Sequence, residues 1–369
     1  MSTAQTLLIL GMHRSGTSAC TRLLNLCGAD LPSDLLPANA ANVTGYWEPA
    51  AVVALHDALL ADAGSAWDDP TEFPAAWLAS RDGQAYVDRL VELLRAWTTG
   101  PLMVVKDPRA CRLVPLWRQA LACVHRDPLM LLVVRHPLEV AASLERRDGI
   151  PVSQSLLLWL EHVLAAEASS RGDRRLIVTY DQILGDWKAV MARVETSLGV
   201  ALPRRGPEVE AAVSAFLDPA LRHERATSAS LDELSDVSDS VRRVYHWHQR
   251  ASDDPDAVSV AELDDVRREL RHAAVAYAPL VRWYRRERAE WSALQARARQ
   301  QLELWDAHEA AWQEQLSGWR AREQQLVAEL NAMTASRDDQ QRAAASVQEK
   351  IDAIEADVFW KVRTWISRK

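Results

Sequence analysis

Short unbroken apolar runs alternate along the first half of the chain with stretches in which apolar residues recur every three or four positions. The runs are Leu7–Leu10, Leu102–Val105, Leu129–Val134 and Leu176–Tyr180. A strand buried on one face alternates apolar with polar residues, so a continuous run predicts a strand covered on both faces. Helix-spaced patterns fill the intervals, over residues 18–27, 50–61, 84–97, 137–146, 153–168 and 186–198. In residues 84–97 they place Tyr86, Leu90, Leu93, Leu94 and Trp97 on one side. Strand and helix in alternation predict an α/β fold with a mostly parallel central sheet between helical layers. Ligands in such sheets sit beyond the carboxyl ends of the strands. Each run leads directly into a Gly-rich or charged segment, which puts the polar chemistry at those ends.

The pattern changes after residue 225. Residues 1–225 are expected to form the α/β domain, and residues 226–260 a polar linker with a short helix around Val241–Gln249. Residues 261–369 read as a long helical, coiled-coil-like extension, interrupted only by Pro279 and Gly318 among Gly and Pro. Apolar residues there recur every seven: Trp291, Ala298, Trp305, Trp312, Trp319, Leu326 and Met333. After the polar stretch SRDDQQR the stripe resumes as Val347, Ile351, Ile354 and Val358. Such spacing predicts a coiled coil or a helical hairpin. The expected roles are self-association, docking on another protein or a membrane face, or packing back within the chain. The final Phe359-Trp360-Lys361-Val362-Arg363-Thr364-Trp365 stretch suits a peripheral contact with a membrane surface.

Charge narrows the functions. The 369 residues carry 43 Lys and Arg against 51 Asp and Glu, a net −8, which leaves no basic excess for nucleic acid. Cys20, Cys27, Cys111 and Cys123 match no zinc spacing and are too few to staple a chain of this size, so a reducing, cytoplasmic setting is expected. No signal peptide and no apolar window long enough to span a bilayer are read. No metal is implied: the imidazoles of His246 and His248 fall on different sides of a helix.

The segment Gly11-Met12-His13-Arg14-Ser15-Gly16-Thr17-Ser18 joins the first strand to the first helix. Its glycines permit tight backbone geometry, and a helix amino end offers unpaired N–H groups and a positive dipole. His13, Arg14, Ser15, Gly16, Thr17 and Ser18 are therefore the candidate phosphate-binding residues. The alternative is a polar structural turn. The ATP-binding loop GxxxxGK[ST] carries a lysine where this chain has Thr17, which argues against a nucleotide or sugar kinase. A second constellation, Arg135-His136-Pro137 with Ser143 eight residues after the arginine, could clamp a second anion. Its bland reading is a salt-bridging arginine and a tolerated helix serine.

The loop GMHRSGTS, the segment Lys106-Asp107-Pro108-Arg109 and the R-H-P-x-x-x-x-x-S stretch resemble the sulfotransferase family, over residues 6–225 and nearest its bacterial, carbohydrate-directed branch. The resemblance implies a P-loop-type three-layer fold and transfer of a sulfuryl group from 3′-phosphoadenosine 5′-phosphosulfate (PAPS), without a metal, to a carbohydrate or glycolipid hydroxyl. It assigns Arg14, Gly16, Thr17 and Ser18 to the 5′-phosphosulfate, Arg135 and Ser143 to the 3′-phosphate, and Arg222 to a basic lid. Many members carry a catalytic histidine where this chain has Pro108. The base is then sought among carboxylates: Glu48 first, with His56 as base or partner and Lys106 as a cation for the sulfuryl oxygens. Glu48 has the alternative of an ordinary acid at a helix start. Asp107 is a weaker candidate, and Trp67, Asn39 and Asn42 could meet a sugar. A non-catalytic nucleotide-binding platform for the Trp-striped helix is the remaining alternative.

Overall fold

The computed structural model describes residues 4–38, 45–97, 100–217, 228–333 and 340–368. Contacts divide the chain into two units, Met1–Val281 and Arg282–Lys369. Four strands, β1 (Gln5–Leu10), β2 (Leu102–Lys106), β3 (Asp127–Val134) and β4 (Arg174–Thr179), form one parallel sheet in the order β2-β1-β3-β4. The chain leaves β1 for a neighbour on one side and later returns to place β3 on the other. Between the carboxyl ends of β1 and β3 lies the crevice where such sheets bind ligands.

The apolar runs are continuous because each strand feeds two cores. Leu8, Leu10, Met130 and Leu132 face one, and Leu7, Ile9, Leu129 and Leu131 the other. Helices α1 (Thr17–Leu26), α8 (Trp187–Leu198) and α9 (Pro207–Phe216) supply the second core. The first takes α2 (Ala50–Asp62), α3 (Arg81–Ala96), α4 (Ala110–Cys123), α5 (Pro137–Asp148) and α6 (Val152–Ser169). Two short helices, α7 (Tyr180–Gly185) and α10 (Ser228–Glu233), complete the connections. The outer edge of β2 is closed by Asp30, whose N–H donates to the Leu102 carbonyl while its own carbonyl accepts from Val104.

The segment expected as a polar linker contributes to the core. Helix α11 (Asp239–Asp253) buries Val241, Val244, Tyr245, Trp247 and Ala251, and the start of α12 (Val260–Met333) adds Leu263 and Val266. Their three- and four-residue spacing sits among enough Asp and Ser to hide it in an average over the segment. Helix α4 was not expected at all: Pro115 breaks the pattern, and the backbone bends at Leu113 (φ −120°, ψ 18°) to accommodate it. In the second unit, α12 and α13 (Gln340–Ile366) form a hairpin around Leu326, Val347 and Ile351. The Trp stripe therefore packs back within the chain over part of its length. Among the described residues no helix is long and apolar enough to cross a membrane.

Two buried histidines make the fold acid-sensitive. Burial pushes His162 down to about 3 and His248 down to about 4, and each has an Nε2 without a protein partner. A group whose folded pKa is depressed below its unfolded value gives stability that is present above pH 6.5 and lost as pH falls toward the folded pKa. Between pH 6.5 and 4 the parent should lose about 1.4 kcal/mol more per pH unit than His248→Asn, as read by urea denaturation. Equal slopes for the two proteins would show that His248 is already protonated in the fold.

Candidate functional site

The loop after β1 is held tightly against β3. Gly11 N–H donates to Cys111 Sγ at 3.0 Å, and a Cβ on Gly11 would stand 2.4 Å from the Val133 carbonyl oxygen. The backbone then turns through two left-handed residues, Arg14 (φ 67°) and Gly16 (φ 85°). A Cβ on Gly16 would meet the Tyr180 ring at 2.2 Å, so glycine is required by space as well as by φ. Helix α1 starts at Thr17 with no side-chain cap and no acid in its first turn, leaving its positive end to the loop. Ser15 Oγ and His13 Nε2 are buried there without a protein partner.

The two anion clamps read from sequence meet at this loop. Arg14 Nε donates to Ser143 Oγ at 2.8 Å, and an Arg135 Nη donates to the Arg14 carbonyl at 3.0 Å. Arg135 is itself fixed on three sides. Its Nε donates to Glu139 at 2.7 Å, its guanidinium lies 4.9 Å over the Tyr180 ring, and its carbonyl accepts from Trp159 Nε1 at 3.1 Å. Pro137 opens α5 at a position where no N–H is needed, and six residues of helix carry Ser143 back to the loop. Arg147, one turn beyond Ser143, adds a third cation. Burial, then Arg147, then Arg135 lower the Arg14 pKa, so the guanidinium charges are felt together in a partly desolvated place. An anion bound among them would relieve that repulsion.

A second group lies on the β2 side. Lys106 Nζ contacts Glu48 Oε1 at 2.5 Å, Ser18 Oγ at 3.2 Å and the Tyr46 carbonyl at 3.3 Å. Ser18 Oγ also donates to the Tyr46 carbonyl, which ties the first turn of α1 to the lysine. Glu48 is buried but does not cap α2: that end is served by Asp34, whose carboxylate accepts from Ala51 N–H. The Gly45-Tyr46-Trp47 turn that presents Glu48 uses positive φ at Gly45 and Trp47, with Arg22 packed 4.7 Å over the Trp47 ring.

His56 stands elsewhere. It is fully buried, with Nδ1 on Asp107 at 2.7 Å and Nε2 accepting from Trp117 Nε1 at 3.0 Å. Both ring nitrogens are thus committed to protein partners, the arrangement of a structural or orienting histidine. Burial alone would raise the Asp107 pKa, but Arg109 and His56 hold it well below the carboxylate range. Arg109 in turn grips Asp57 through two nitrogens. His13 is held neutral by burial and by Arg109 and Arg147, and packs 4.6 Å from the Trp67 ring. It therefore offers a hydrogen-bonding nitrogen rather than a charge. Thr17 is buried, with its carbonyl accepting from Thr21. Arg222, Asn39 and Asn42 lie outside the described residues. Sequence reasoning missed Arg147, Glu139 and the placement of Tyr180. The first had a signal, since it follows Ser143 at helical spacing. The other two depend on contacts between distant segments.

Gly16→Ala should be costly for two reasons, the left-handed backbone and the Tyr180 ring. We expect a loss of about 1–3 kcal/mol in thermal or urea unfolding, with the Arg135 stacking on Tyr180 disturbed. Gly149→Ala also has φ +64° but open space around the new Cβ, and should cost less.

No family description matches this sequence, and no curated protein matches it. Among solved structures, the chain is similar to the sulfotransferase domain from the curacin biosynthetic pathway. That match has 15% identity and a TM-score of 0.39, over 67% of this chain and 98% of that one. It is also similar to the sulfotransferase domain from the Synechococcus PCC 7002 olefin synthase, with 19% identity and a TM-score of 0.34, over 64% and 90% of the two chains. A sulfotransferase from Mycobacterium tuberculosis matches at 15% identity and a TM-score of 0.34, over 58% and 71%.

Proposed function

We propose that this chain transfers a sulfuryl group from PAPS to a hydroxyl of a carbohydrate or glycolipid acceptor. The observation that carries the reading is the convergence of Arg14, Arg135 and Ser143 on one uncapped helix start. The Lys106–Glu48 pair bears on the same helix through Ser18. A bisphosphate needs two anion sites, and a sulfuryl donor needs no magnesium.

The residues divide the work. The α1 amino end, Arg14, Thr17 and Ser18 hold the 5′ phosphosulfate end, and Arg135 with Ser143 holds the 3′ phosphate. Lys106 exchanges its contact with Glu48 for the sulfuryl oxygens, where it meets charge that builds toward the leaving phosphate. That exchange frees the Glu48 carboxylate to accept the acceptor's hydroxyl proton. The acceptor oxygen forms its bond to sulfur as the bond from sulfur to the 5′-phosphate oxygen breaks, and 3′-phosphoadenosine 5′-phosphate departs. Trp67, packed against His13, offers a ring face of the kind that sugars stack on.

Calorimetric titration tests the donor assignment. We expect 3′-phosphoadenosine 5′-phosphate to bind tightly and ATP with magnesium not to bind, with Arg135→Ala abolishing binding. Glu48→Gln should keep bisphosphate affinity within a few-fold and lower turnover by about 10²–10⁴-fold. Binding of ATP with indifference to the bisphosphate would move the protein to the kinases. Full turnover by Glu48→Gln would remove Glu48 as the base.

A further inference from the structure

The hairpin of the second unit leaves much of its own apolar stripe uncovered. Helix α13 has 27 residues, or about 40 Å. Its contacts run back along α12 from Leu330 through Trp319, where Lys361 sits 4.8 Å over the ring, to a groove of about 610 Å³ lined by Trp305, Trp312 and Trp365. There α13 ends. The stripe does not: Tyr284, Trp291, Leu294 and Leu302 stand 42%, 63%, 55% and 64% exposed. They fall on one helical face, at steps of seven and of three or four around Ala298.

Charge along the same stretch is polarised. Residues 282–297 hold five arginines against two glutamates, and residues 299–314 hold four acids against one arginine. Laid parallel and in register, two copies would set basic on basic. Laid antiparallel about Ala298, each basic stretch faces the other copy's acidic one. The same register brings Trp291 onto Trp305 and Leu294 onto Leu302, with the small Ala298 on the axis, where two helices approach most closely.

We propose that α12 is a dimerisation helix that pairs antiparallel with a second copy of this chain, two-fold about Ala298. Trp291 of each copy enters the groove between α12 and α13 of the other. Each end of the pair then holds three helices, α12 and α13 of one copy and α12 of the other, in an isologous contact that closes on itself. The pairing is independent of the catalytic reading.

The test uses the full chain with Cys123→Ser, since Cys123 is exposed and the other three cysteines are buried. Light scattering should give twice 41.3 kDa, and Trp291→Glu should give the monomer with unchanged helical circular dichroism. Under oxidation, Leu294→Cys mixed with Leu302→Cys should form a disulfide-linked pair. Leu294→Cys alone should not, because its two copies would lie about 12 Å apart along the axis, beyond disulfide reach. A monomeric parent, a dimer lacking the mixed cross-link, or a cross-link from Leu294→Cys alone would overturn the proposal. So would a monomer that binds phosphatidylglycerol vesicles but not phosphatidylcholine vesicles, which would assign the arginine- and tryptophan-rich face to lipid.

Discussion

One hydrogen bond organises the candidate site: that from the Arg135 guanidinium to the Arg14 carbonyl. It joins the segments leaving β1 and β3, the two strands that flank the crevice of the sheet. Arg14 occupies a left-handed conformation that costs an L-residue roughly 1–2 kcal/mol. The Arg135 contact on its carbonyl and the Ser143 contact on its side chain hold it there. The strain lies in the turn between β1 and α1. Tyr180 closes the arrangement from below, with one face against Gly16 and the Arg135 guanidinium over the ring. Each of these parts is poorly placed without the others.

Beside this cationic loop, the buried Lys106–Glu48 pair has a different character. Burying two charges is costly unless further hydrogen bonds satisfy them, and Lys106 finds its extra acceptors in Ser18 and the Tyr46 carbonyl. Behind it runs a chain of fixed groups, Asp57–Arg109–Asp107–His56–Trp117. That chain ties the segment after β2 to α2 and α4. The result is a buried lysine held by three acceptors on one side of the loop, opposite arginines that are themselves tied to protein partners.

The sequence was informative where chemistry depends on neighbours along the chain. The four strand runs, the Gly-rich turn and the eight-residue step from Arg135 to Ser143 are local patterns: the runs fall on the four strands, the turn leads into α1, and the step spans the first two turns of α5. It was silent where chemistry depends on packing. His56 and Glu48 are both polar residues near one helix start, and nothing local says that an indole takes the lone pair of one while a lysine faces the other. Helix α4 was hidden by Pro115, and the contribution of α11 to the core by the acids and serines around it. Charge averages describe a segment; burial is decided residue by residue.

The unusual ratio of 15 Trp to 3 Phe follows from the same distinction. Trp117, Trp159 and Trp247 are the three largest fully buried side chains, and each indole N–H donates: to His56, to the Arg135 carbonyl and to the Ser259 carbonyl. Phenylalanine could fill those volumes but would leave a buried acceptor without its donor, at about 1–3 kcal/mol each. Trp159 thus does more than fill space, since the carbonyl it satisfies belongs to the arginine on which the loop depends. On α12 the tryptophans serve otherwise: Trp312 and Trp319 meet edge to face 6.1 Å apart, and a ring that wide holds facing helices apart. Ala298, flanked seven residues away on each side by tryptophan, is the narrow point of that stripe.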